Sequence, residues 1–200
     1  MDELRNQLSR ADGSTYIRWG RKTCPKDAVL VYEGSAGSGN SLHTGAAANT
    51  LCLSNKPEWN EYIDGFQGGT RIYGAEYWAQ NTLSKFNAVH NHDVPCVVCR
   101  IRHGNVMMVP GQNNCRGGYT LQYSGYLMAG NFGQPGTSEY ICMDREPEKG
   151  NSGSGEKPGT KFLSAQGECG TLECPPYVEG REITCAVCSY TSRAIVDPLS

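Results

Sequence analysis

Four cysteines of this chain occur twice. Cys24, Cys52, Cys96 and Cys99 are followed, at offsets of 91, 90, 89 and 89 residues, by Cys115, Cys142, Cys185 and Cys188. The residues around them repeat as well. Leu30, Tyr32, Gly34 and Gly39 fall on Leu121, Tyr123, Gly125 and Gly130, and Pro57 and Glu58 on Pro147 and Glu148. Gly69-Thr70-Arg71-Ile72 falls on Gly159-Thr160-Lys161-Phe162, and Val98 on Val187. An offset that drifts by so little across half a chain marks an internal duplication. It divides the sequence into two similar halves, 14–105 and 106–200, behind a short segment 1–13. Any fold for this chain is therefore one unit built twice.

Two further cysteines, Cys169 and Cys174, occur only in the second half and most simply close a small loop on each other. Ten cysteines, an even number, fit either a disulfide framework or a metal or redox protein. The pairs Cys96-Val97-Val98-Cys99 and Cys185-Ala186-Val187-Cys188 lie much too far apart for a zinc ribbon. Their apolar surroundings, with Val106-Met107-Met108-Val109 following the first pair, read as strands and not as the helix start of a thioredoxin-type pair. On a strand, side chains alternate between faces, so Cys96 and Cys99 point apart and suit two different partners. The same holds for Cys185 and Cys188. This arithmetic alone leaves the connectivity of each half open. All cysteines paired implies an oxidising compartment.

Composition removes several functions. Lys and Arg number 18 against 20 Asp and Glu, a net charge of −2. A surface that tracks nucleic-acid phosphates needs a basic excess. No apolar stretch approaches the roughly 18 residues of a membrane-spanning helix, and Met1 to Arg10 is polar, unlike a signal peptide. The glycines, 25 of 200 residues, show no three-residue period. With Asn, Ser and Tyr and no long amphipathic run, they suggest a loop-rich β protein.

The remaining motifs are weak. On a strand His90 and His92 would share one face, with Asp93 beside them, and could hold a metal, but the Asp93-Val94-Pro95 run reads as a surface turn. His43 and His103 have no evident partner. Glu58, Glu61 and Asp64 make an acidic run that reads as a solvated loop or, less readily, a calcium site. Gly37-Ser38-Gly39 and Gly150-Asn151-Ser152-Gly153-Ser154-Gly155 lack the strand–turn–helix setting of a nucleophile and the Lys-Ser/Thr of a phosphate cradle. No catalytic centre is expected. Met1, Leu4, Leu8 and Ala11 keep a 3-4-3 spacing, a short coiled-coil-like seam that Asp12-Gly13 ends. It reads as a neck before globular heads or as a simple tail.

Several runs carry a family resemblance. They are Tyr16-Ile17-Arg18-Trp19-Gly20-Arg21, Cys24-Pro25, His43-Thr44-Gly45-Ala46, Tyr73-Gly74-Ala75-Glu76-Tyr77, His90-Asn91-His92-Asp93-Val94-Pro95-Cys96 and Cys174-Pro175-Pro176-Tyr177-Val178. Over residues 14–192 the chain resembles the C-terminal non-collagenous domain of invertebrate short-chain, spongin-like collagens. More distantly it resembles the C-terminal domain of type IV collagen, through the cysteine pairs, the duplication and Tyr77-Trp78. That resemblance implies a mostly β fold of two intertwined, disulfide-rich subdomains. It implies the nested pairing Cys24–Cys99, Cys52–Cys96, Cys115–Cys188 and Cys142–Cys185, with Cys169–Cys174. It further implies a homotrimer, or a pair of such trimers, in which a hairpin of one subunit completes a sheet of its neighbour.

The function implied is a secreted matrix domain that associates collagen-like chains, with Tyr77 and Trp78 as packing anchors and no cofactor. Chloride and calcium are the candidate ions. The type IV halide loop has no counterpart in Arg71–Glu76, and the absence of Met between Trp78 and Cys96 removes the methionine–lysine crosslink of that family. The alternative, of a different class, is a secreted multivalent ligand-binding module resembling a lectin.

Overall fold

A computed structural model describes residues 13–80, 82–102 and 104–190. The Met1–Ala11 seam and His103 lie outside the described residues. The chain is mostly β. The first half contributes β1 (Thr15–Trp19), β2 (Val29–Ser38), β3 (Leu51–Ser54), β4 (Tyr73–Tyr77) and β5 (Pro95–Arg100), with a single helical turn, α1 (Ser84–Asn87), before β5. The second contributes β6 (Asn105–Pro110), β7 (Thr120–Ala129), β8 (Ile141–Asp144), β9 (Thr160–Ser164) and β10 (Thr184–Tyr190). The strand β6 opens at Asn105, one residue before the expected start of the second half.

The duplication is exact at the level of strand pairing. In the first half β5 lies between β1 and β2, and β2 also pairs β3 and β4. In the second, β10 lies between β6 and β7, and β7 also pairs β8 and β9. Main-chain bonds outside the ladders repeat too. Gly20 N–H donates to Pro95 O at 2.8 Å, as Gly111 N–H does to Thr184 O. Tyr77 N–H donates to His92 O and Gly167 N–H to Arg181 O, both at 3.0 Å. Gly34 and Gly125 recur because the strands cross closely there: a Cβ on Gly125 would stand 1.7 Å from Met143 O, and one on Gly34 would stand 2.4 Å from Leu53 O.

The central strands β5 and β10 are short apolar runs buried on both faces, as their sequence demands. Cys96 and Val98 face one core with Trp19, Tyr77, Phe86, Met128, Met143 and Phe162. Val97 and Cys99 face a second core with Tyr16, Tyr123, Cys142, Cys185 and Val187. The alternation that separates the close cysteines thus delivers them to different cores and different partners.

The structure contains Cys24–Cys99, Cys52–Cys96, Cys115–Cys188, Cys142–Cys185 and Cys169–Cys174, and no free thiol. All ten sulfurs are thus taken up in disulfides, the arrangement of a disulfide framework. The four long bonds span 75, 44, 73 and 43 residues. In the chain-entropy picture each contributes about 4 kcal/mol by restricting the unfolded chain.

Candidate functional site: a seam between the halves and its unmade counterpart

The two halves join along one seam. Strand β8 lies parallel to β1 through Trp19 and Met143, and β9 lies parallel to β4 through Ala75–Thr160, Glu76–Lys161 and Tyr77–Phe162. The connection from β8 to β9 crosses onto the first half. There Glu148 N–H donates to Gly20 O and Gly150 N–H to Asp93 O, both at 2.8 Å, while Trp78 N–H donates to Phe162 O at 2.8 Å.

Polar groups cluster on this seam. The five ion pairs among the described residues all cross it: Arg18–Asp144, Arg21–Glu148, Lys85–Glu146, Lys157–Asp93 and Lys161–Glu76. Arg18–Asp144 at 2.7 Å and Lys161–Glu76 are the shielded ones. Three tyrosine hydroxyls donate across it as well: Tyr16 to Gln122 Oε1 at 2.8 Å, Tyr77 to Glu148 O at 3.0 Å, and Tyr123 to Ile17 O at 3.0 Å. Burial pushes all three phenols above their ordinary range, with Glu148 adding to the effect at Tyr77 and Asp144 at Tyr123. Hydroxyls that stay protonated remain donors.

The duplication supplies counterparts of the strands that join, and within one chain these counterparts do not meet. The strands that join are β8 and β1. Their counterparts are β3 and β6. Among the described residues β3 pairs only β2, and β6 pairs only β10. Apolar side chains buried at the closed seam have apolar counterparts in water at the open one. Ile141 is 4% exposed and Leu51 45%; Met143 is 0% and Leu53 38%; Phe162 is 0% and Ile72 52%. The seat of the crossing connection is repeated too. A cleft of about 290 Å³ is lined by Gly111, Tyr177, Val178, Glu182 and Ile183. Gly111 and Glu182 stand where Gly20 and Asp93 hold Glu148 and Gly150. The counterpart of the crossing connection, residues 55–72, projects Trp59, Tyr62, Ile63 and Phe66 into solvent.

The other residues singled out from sequence take lesser parts. Tyr77 is fully buried between the halves, and its ring lies 6.2 Å from Phe86. Trp78 is half-buried, meets His90 edge-on at 5.2 Å and lies 4.9 Å from Lys161 Nζ. The shared-face argument for His90 and His92 fails, because Asn91 has φ of 58° and breaks the strand period. His90 Nδ1 instead accepts from Ala79 N–H at 3.1 Å. Glu58, Glu61 and Asp64 are exposed on the 55–72 connection. Among the described residues no three His, Cys, Asp or Glu side chains are grouped to hold a metal ion. Sequence reasoning passed over Arg18, Glu76, Asp144 and Lys161, whose partners lie 85 to 126 residues away. No family model matches the chain, and no curated protein is significantly similar to it.

Proposed function

We propose that this chain is a non-enzymatic structural domain of the extracellular matrix that associates collagen-like chains into a trimer. Each copy offers β3 and the 55–72 connection to the β6 edge and the Gly111–Glu182 cleft of the next. The seam formed inside one chain is thereby repeated between chains, head to tail. The observation that carries this reading is the burial contrast: Ile141, Met143 and Phe162 are covered, and their counterparts Leu51, Leu53 and Ile72 are not. Apolar residues grouped along an open strand edge mark a surface that another chain covers.

Three further features support the reading. A heterologous contact of this kind closes into a ring when the rotation per copy allows it. The number three comes from the resemblance to collagen C-terminal domains. Five disulfides fit a secreted protein.

Light scattering on the disulfide-bonded chain tests the proposal. A mass three times the 21.8 kDa of one chain is expected at micromolar concentration. A single-chain mass up to about 100 µM, which leaves less than about 5.5 kcal/mol of binding free energy, overturns it.

A further inference from the structure

At the closed seam the cation is Lys161. It bonds to Glu76 across the β4–β9 pair and lies 4.9 Å from the Trp78 ring, and the Lys161 and Glu76 side chains are both buried. The repeat identifies the groups that occupy these three places at the open seam. Gly69–Ile72 aligns with Gly159–Phe162, which sets Arg71 in the place of Lys161. The bridges Glu76–Asp93 and Gln166–Glu182 are counterparts, so Gln166 stands for Glu76. Two residues on, at the same offset of 90, Glu168 stands for Trp78.

The open seam therefore has a different chemistry. Its cation is an exposed guanidinium, stacked at 4.2 Å on the Phe66 ring of its own connection. The place facing it holds an amide, Gln166, and a carboxylate, Glu168, both exposed. Glu182 adds negative charge beside them, accepting from Gln166 Nε2 at 3.4 Å. A planar guanidinium that is already stacked suits a two-pronged contact with a carboxylate, where an ammonium would not.

We propose that Arg71 of one copy pairs with Glu168 of the next, and that this charge pair selects the partner as a second copy of this chain. The inference rests on the assembly reading above and adds its register and its selectivity. Lys161 with Glu76 and Trp78 holds the halves of one polypeptide together; Arg71 with Glu168 admits the neighbour. Reversing either charge sets like charges face to face, which opposes association.

Sedimentation velocity over a concentration series, on the full disulfide-bonded chain, decides it. Arg71→Glu and Glu168→Arg are each expected to raise the half-association concentration about tenfold or more. The double variant is expected to return within about threefold of the wild-type value, the usual scatter of a surface change. Unchanged melting temperatures check that these exposed substitutions leave each chain folded. Single variants that associate as the wild type does, or a double variant no better than the singles, overturn the charge pair while leaving the assembly reading intact. A wild-type chain that never associates overturns the assembly reading and this inference with it.

Discussion

Tyr123 and Tyr32 occupy the same place in the two copies of the fold, and only Tyr123 is covered. It is 5% exposed and Tyr32 is 37% exposed. The Tyr123 hydroxyl lies 3.0 Å from both Ile17 O and Cys142 O, on the two sides of the seam, and its one hydrogen is shared between them, while that of Tyr32 donates to Cys52 O within its own half. Equal local sequence has met unequal surroundings. The difference is the presence of β1 over one tyrosine and of no strand over the other.

The same substitution at equivalent positions should therefore have opposite consequences. Met143→Asp introduces a charge into a fully buried site and should cost several kcal/mol, enough to unfold the chain or lower its melting point sharply. Leu53→Asp, at the half-exposed counterpart, should change stability by less than about 1 kcal/mol and abolish association. Thermal melts and light scattering on the two variants read these outcomes side by side.

Alkaline pH should destabilise the chain. The Tyr77 and Tyr123 phenols are held protonated in the fold, above the ordinary value of about 10 that they regain on unfolding. A raised folded pKa contributes stability that is complete below the unfolded value and falls away as pH climbs past it. Unfolding free energy should thus decline from about pH 10 upward, and Tyr123→Phe should flatten that decline. Denaturant titrations between neutral pH and pH 11 measure it.

Removing disulfides should rank by loop length. Replacing Cys52 and Cys96 by Ser opens a 44-residue separation and should cost about 4 kcal/mol. Replacing Cys169 and Cys174, five residues apart, should cost about 2 kcal/mol. Urea midpoints at constant slope check the order.

The parity of the assembly can be read from charge variants. In an equimolar mixture of Arg71→Glu and Glu168→Arg chains, contacts between unlike variants restore opposite charges and contacts between like variants do not. A ring of three always retains at least one repulsive contact, so recovery should be partial. Full recovery would indicate an even number of copies.

Much of this architecture was legible in the sequence, and the reasons are local. Cysteines and glycines that recur at one offset expose a duplication, and the period of a strand separates Cys96 from Cys99. What stayed hidden depends on distance along the chain. Glu76 sits in a run of ordinary strand residues, and nothing near it announces Lys161, 85 residues away. The contrast between Met143 and Leu53 is invisible to any reading that treats the halves as equals, because it arises only when β8 meets β1. The turn at His90 and His92 was legible from Asp93-Val94-Pro95, but its means, a single left-handed residue at Asn91, was not.

Every ion pair described lies between segments of one polypeptide, so the first seam closes at a rate indifferent to dilution. The second, if its counterpart edges meet between molecules, must wait for collisions. On that reading folding precedes encounter, and the second seam forms only as far as concentration drives it.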